Sequence, residues 1–600
     1  MRLKIKAKKR TGGGDNGNKF NGAKPAIKEL PSYLCPQPIN SGVPQPIIDG
    51  LFDFSHLQSF FSAMEIICPE LQINNNAYKT SWLGANNIVK LSRDNDNSHK
   101  GVLLFDGGNE QPVFIKRIHL LNPSNAMEGE YILSSECSLS APREPLMATL
   151  GKINDPMNEA YVDALFASIA SKLVESGISP HWCKCFGTLS GRVDKYLYDI
   201  SDEYDTLKYK PWWKRNIKRG IFSIIVENDE SDDESGDESG DDSDNEKITP
   251  LFKIASNDLS NDDFEELTED IIHTTVSSDV SESDADIPEC SGVMCINPPK
   301  LCLRRVSISQ NNTGGSDSDE SECDEFATNT YAEFTNYPVQ ISLLEYAEGT
   351  MDMLLDEEEP DYSAEKDARW KAWLFQIIAA LNIAQYYFGF VHNDLHTSNV
   401  MWSTTNEPYL YYKLINGENI KYLRVPTFGR IMKIIDFGRA SYHLPGCGGF
   451  IISDAFYPGN DAGTQYNCNP FYDNEKPRIE PNVSFDLSRL SVSLIESLYP
   501  IRPMSVSPLK IMSEEEGLQY AETESSVYNM LWSWLQDDTG RNVLRSPDGE
   551  ERYGDFNLYR AIAADVHSAR PSEQLVLPLF DDYHFDGDLS DIKHIYKLFL

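Results

Sequence analysis

"VHNDLHTSNV", Val391–Val400, places His392, Asp394, His396 and Asn399 within eight residues. Three roles are open to such a cluster: ligation of a metal, an acid–base step, or an ordinary polar turn. Adjacency does not decide among them, because neighbouring side chains need not converge. Taken alone, His392 is as well explained by packing as by ligation. The surroundings say more. Upstream, "DARWKAWLFQIIAALNIAQYYFG", Asp367–Gly389, reads as a long apolar helix that delivers the chain to the motif. Downstream, "IMKIIDFG" reads as a strand ending on Asp436. Far upstream, "GVLLFDGGNEQPVFIKRI", Gly101–Ile118, reads as two strands around a turn, with Lys116 in the second. Phosphoryl transfer needs such a set: a carboxylate to take the proton of the attacking hydroxyl, an amide and a second carboxylate for magnesium, and a cation on the phosphates.

Size and composition bound the rest. At 600 residues the chain can hold large cores and more than one domain. A formal charge of -40 argues against nonspecific binding of nucleic acid or anionic membrane by the whole molecule. A local exception is "MRLKIKAKKR", six basic residues in ten, followed by the glycine-rich "TGGGDNGNKF". Residues 1–30 thus read as a flexible basic tail, with a nuclear-import or polyanion contact as its alternative role. No secretory signal and no run of roughly 18 apolar residues is present. Eleven scattered cysteines suit a reducing, intracellular compartment. Cys290, Cys295, Cys302 and Cys323 match no common zinc spacing, and free thiols are the better reading.

"ENDESDDESGDESGDDSDNE", Glu227–Glu246, has 12 acidic residues in 20 and nothing to bury. Similar tracts recur up to Glu325, so residues 227–330 read as one mostly disordered acidic insertion, with a short ordered piece around "LFKIAS". It is a solvated spacer, or else its serines are phosphorylated or its carboxylates dock basic proteins. The remaining parts are 31–74 as an extension, 75–226 and 331–346 as a sheet-rich lobe, and 347–600 as a helical lobe. Strands concentrate before residue 345 and helices after it, which predicts an α+β fold. "NEAYVDALFASIASKLVESG", Asn158–Gly177, is a helix with Tyr161, Leu165, Ile169 and Leu173 on one face and a glycine stop.

These motifs resemble the eukaryotic protein-kinase superfamily. "HNDLHTSN" is similar to the kinase catalytic loop, "IIDFG" to the magnesium loop and "VFIK" to the phosphate-lysine strand. The resemblance covers roughly residues 75–225 and 331–500. It implies a two-lobed fold, ATP and Mg2+ as cofactors, and transfer to serine or threonine hydroxyls of protein substrates. In this likeness Asp394 is the catalytic base, Asn399 and Asp436 hold magnesium, and Lys116 binds phosphate with Glu159 as its ion-pair partner. "LLEYAEGTM" resembles the hinge, where Glu345 and Ala347 offer backbone hydrogen bonds to adenine and Leu344 lines the pocket. Asp486 in "FDLSRL" resembles the brace of the catalytic loop. "SPHWCKCFG", "VHNDLHTSNVMW", "DFGRA" and "HSARPSEQL" together look like divergent kinases of large nucleocytoplasmic DNA viruses. That likeness implies a virus-encoded enzyme, packaged in the virion or acting in the host cytoplasm or nucleus.

The departures are specific. No full G-x-G-x-x-G loop exists. Gly84 lies 32 residues before Lys116, too far for an adjacent hairpin, so Gly101 is the better last glycine of a glycine-poor loop, "SRDNDNSHKG". His396 stands where serine/threonine kinases have a lysine, and it carries no permanent charge at neutral pH unless its pKa rises. Asn393 replaces the usual arginine, which implies activity independent of activation-segment phosphorylation. No clear A-P-E motif follows "DFGR". Three rivals therefore stand beside the kinase reading: a small-molecule phosphotransferase, a pseudokinase, and an acidic interaction scaffold.

Overall fold

A computed structural model describes residues 31–68, 81–94, 97–131, 144–228, 252–254, 328–360, 362–444, 449–554 and 556–600. The basic tail, the candidate zinc cysteines and most of the acidic insertion lie outside the described residues. The insertion's edges are inside: strand extends to Asn228 and resumes at Thr328, and Phe252–Ile254 forms a short strand.

The longer strands of the principal sheet are β1 (Phe54–Gln58), β2 (Ile88–Arg93), β3 (Lys100–Phe105), β4 (Glu110–His119), β5 (Cys185–Asp199), β6 (Ser223–Asn228) and β7 (Thr328–Glu345). Their order is β1–β5–β7–β4–β3–β2, every pair antiparallel, with β6 on the far end of β7. Alternation in β4 sends Val113 and Ile115 into one face of the curled sheet, where they meet Leu103, Val339, Ile341 and Leu343. The β3–β4 turn carries Gly107 and Gly108 at φ of 94° and 82°, a left-handed pair that suits glycine. The extension is part of the body: β1 is an edge strand of this sheet, and Leu34, Phe61 and Met64 are fully buried in the second core.

That second core is built on helices. α1 (Glu144–Asn154) precedes α2 (Glu159–Glu175), which starts on an Asn158 cap accepting from the Ala160 N–H and ends before Gly177 at φ 64°. α3 (Ala364–Phe388) ends in left-handed Gly389 and is buried almost all round. α4 (Phe485–Leu498), α5 (Ser526–Trp534) and α6 (Asn557–Asp565) complete it. Phe166 of α2 stacks on Phe390 at 4.2 Å and meets Phe437 edge-on at 4.9 Å. Such pairs add about 1 kcal/mol each beyond their burial, and these tie α2 to both motifs of the site.

The region after residue 345 is less helical than its sequence suggests. β8 (Gly349–Thr350), β9 (Val400–Thr404) and β12 (Arg430–Ile434) form one small sheet, and β10 (Tyr409–Asn416) and β11 (Asn419–Pro426) form a hairpin. The C-terminal strand β15 (Tyr596–Phe599) runs parallel to β10, while β13 (Ser441–Leu444) pairs with β14 (Gly449–Ile452). The reason is visible in the chain: Leu410, Tyr412 and Leu414 are buried at every second position, as are Leu423 and Val425, around an Asn–Gly–Glu turn. No described helix is long and apolar enough to cross a membrane. The fold is mixed α and β around a curled antiparallel sheet.

Candidate active site

The loop at Val391 leaves α3 through Gly389 and is held by its backbone. The N–H groups of His392 and Asn393 donate to Asp486 at 2.9 and 3.0 Å, and His392 donates through Nε2 to the Ile435 carbonyl at 2.8 Å. Asp486 is fully buried, and burial pushes its carboxyl up to about 6 against the pull of His392 and the two N–H donors. His392 is thus a brace, not a ligand. Asn393 and Asp436 both sit in the left-handed region, at φ 65° and 64°, a conformation that costs non-glycine residues energy and persists only where surroundings enforce it. Asn393 shows the enforcement: its Nδ2 donates to the Arg439 carbonyl at 2.8 Å, and its Oδ1 accepts from the Tyr466 hydroxyl at 2.7 Å.

Asp394 and Asn399 are joined on one loop, and Asp436 pairs with Lys116. Asn399 donates through Nδ2 to the Asp394 carbonyl at 2.9 Å, and the Lys116 ammonium lies 3.1 Å from Asp436 Oδ1. The amide of Asn399 therefore keeps its oxygen for a ligand, and Asp436 has a second carboxylate oxygen beyond the one facing Lys116. This oxygen-only pair fits a small hard cation such as Mg2+, which takes one or two protein oxygens and completes its shell with water and phosphate. No cluster of three or more His, Cys, Asp or Glu capable of holding a metal by itself occurs among the described residues.

Glu159 does not pair with Lys116. Lys116 instead donates to Asp163 Oδ1 at 2.7 Å, and the same oxygen accepts the Phe437 N–H at 2.7 Å. Asp163 lies one helical turn beyond Glu159 on the same face of α2, and that turn brings it level with the sheet lysine. Burial pushes its carboxyl up, Lys116 opposes this, and Asp436 adds to it. Glu159 faces His119 Nε2 at 3.4 Å and Lys152 at 3.9 Å. Burial would raise its carboxyl, but Lys152 and His119 outweigh it and hold it at about 2. Its own N–H donates to Asp454, which also takes Lys152 at 2.7 Å. Glu159 thus belongs to a knot that ties the start of α2 to the segment after β14.

His396 is no substitute for a cationic lysine. It is buried, and burial lowers its pKa despite the neighbouring Asp394. Its Nε2 accepts from the Asn399 amide at 3.1 Å, so the ring is neutral at pH 7 and orients a neighbour. The cation at Asp394 is Arg439, whose Nη1 lies 3.5 Å from Oδ2. Burial would raise the Asp394 carboxyl, but the charges around it, Arg439 above all, outweigh it and hold it at about 2. A carboxylate this acidic is ionised throughout the neutral range.

Gly101, Leu344, Glu345 and Ala347 sit as follows. The β2–β3 hairpin precedes β4, and Gly101 lies in β3, where an added Cβ would stand 2.9 Å from the Ser92 carbonyl. Leu344 and Ala347 are buried. The Glu345 N–H is engaged with the Lys184 carbonyl at 2.8 Å, and its carboxylate takes the Lys184 N–H and Lys433. An adenine therefore has no hydrogen bond to take from the Glu345 N–H.

Comparison with known proteins adds one finding. A probable serine/threonine-protein kinase of Dictyostelium discoideum is 42% identical over 82 residues, which are 13% of this chain and 7% of that protein. No family model matches the chain. Over that stretch the chain is similar to a protein kinase.

Proposed function

We propose that the chain is a protein kinase of two-lobed form that transfers the terminal phosphate of ATP to serine or threonine hydroxyls with Mg2+. The observation that carries this reading is the meeting of Lys116, Asp163 and Asp436 beside the loop that presents Asp394 and Asn399. In it Lys116 takes the nucleotide phosphates, Asn399 and Asp436 hold magnesium, and Asp394 accepts the proton of the attacking hydroxyl. Magnesium would neutralise charge on the phosphates; the protein's part is position and field. Leu344 and Ala347 line the adenine side, with Gly101 in the covering hairpin. Asn393 and Tyr466 tie the loop to the segment after "DFG" without a charged receiver, which supports activity that needs no phosphate on that segment. The acidic insertion favours basic protein substrates or partners.

Titration of the full chain with a fluorescent ATP analogue tests the nucleotide half of the reading. Binding should require Mg2+ and weaken by about tenfold or more in Lys116→Met and in Asp436→Asn, the scale of one lost charged contact. Binding that is indifferent to both substitutions and to Mg2+ refutes it.

A further inference from the structure

Asp394 is engaged from a direction that the loop motif does not explain. The hydroxyl of Tyr559, in α6 and 165 residues downstream, donates to its Oδ1 at 3.1 Å, while Arg439 stands at its Oδ2. We infer that Tyr559 is a positioning residue for Asp394, fixing the carboxylate that receives the substrate proton; this rests on the kinase reading above.

Three features support it. The tyrosine ring is clamped: the Arg489 guanidinium lies 4.8 Å from its centroid, and Phe556 stacks on it at 5.2 Å. Arg489 sits three residues after Asp486 in α4. One helix therefore holds the loop backbone through Asp486 and the base side chain through Arg489 and Tyr559. Burial raises the Tyr559 phenol pKa, so the group remains a donor through the neutral range. Finally, Asp394 is only 6% exposed, and one oxygen faces each neighbour. With Tyr559 on one lone pair of Oδ1, the carboxylate has a single plane, and a second lone pair remains to accept the proton as the hydroxyl oxygen bonds to phosphorus and the leaving diphosphate departs.

The experiment measures kcat and KM for ATP and for protamine with the full chain, Mg2+ and labelled ATP. Wild type and Asp394→Asn establish the kinase reading first; a wild type without transfer ends both proposals. With an active wild type, Tyr559→Phe keeps the ring and loses only the hydroxyl. The expected result is a fall in kcat of roughly 10- to 100-fold, the scale of one hydrogen bond to a charged group, with KM for ATP and the thermal midpoint unchanged. Arg489→Met should also lower kcat, and the double variant should be no worse than the poorer single one. A Tyr559→Phe kcat within twofold of wild type overturns the inference. A rise in kcat overturns it too, since the hydroxyl would then be blocking the acceptor. If Tyr559→Phe fails to fold, Arg489→Met decides: unchanged kcat in a folded protein overturns the inference.

Discussion

Asp163→Asn and Glu159→Gln separate the lysine partner read from the sequence from the one found in the fold. In Asp163→Asn the side-chain amide would keep the shape and one acceptor oxygen for the Phe437 N–H, and would lose the charge 2.7 Å from Lys116. A hydrogen bond between charged groups is worth about 1.5–3 kcal/mol, so losing its ionic part predicts a roughly 10- to 100-fold fall in kcat/KM for ATP. Thermal melts should also show a loss of stability, because the buried Lys116 ammonium is left with Asp436 as its remaining carboxylate. Glu159→Gln touches His119 and Lys152 but not Lys116. Its kcat/KM for ATP should stay within about threefold, the scale left by a contact loss well under 1 kcal/mol. Initial rates over a range of ATP concentrations, with thermal melts as control, make the comparison. A Glu159→Gln loss equal to or greater than that of Asp163→Asn would refute the assignment.

Other substitutions read other parts of the site. Asp486→Ala leaves the buried N–H groups of His392 and Asn393 without their acceptor, so urea unfolding should show a loss of about 2–5 kcal/mol; a loss under about 1 kcal/mol contradicts the brace. His181 is fully buried, donates to the Met432 carbonyl at 3.0 Å and accepts from the Tyr412 hydroxyl at 2.8 Å. Burial lowers its pKa to about 3, so the unfolded chain binds its proton first. The stability of its neutral form is complete above about pH 6.5 and is lost as pH falls from there towards 3, at most about 5 kcal/mol. His181→Gln should flatten the stability-against-pH slope in that window by about 1.4 kcal/mol per pH unit. An unchanged slope would show that the imidazole is not neutral in the fold.

The sequence was most informative where a motif is short and rigid. Asp394 and Asn399 are bound by a five-residue spacing on one loop, and Asp436 by a strand end, so their meeting is legible without coordinates. Lys116 was legible from the likeness of "VFIK" to the phosphate-lysine strand. The partner on α2 was not legible at the same level, because Glu159 and Asp163 share a face and only the helix's depth against the sheet chooses between them. The hairpin at residues 409–426 carried a readable alternation that the general impression of a helical half obscured. Tyr559 and Arg439 carry no such signal: their contacts with Asp394 depend on how α6 and the turn after β12 pack. For His396 the sequence left the charge open, and burial closes it as neutral.

The central claim is that Asp394 serves a phosphoryl transfer to protein hydroxyls. Its most direct test is label transfer from ATP to protamine by the full chain with Mg2+, followed by phosphoamino-acid identification, for wild type and Asp394→Asn. The account predicts label on serine or threonine that falls by about a thousandfold or more in the variant, equivalent to about 4 kcal/mol of barrier. Equal labelling by the two proteins, or label confined to small hydroxylated compounds, would contradict it.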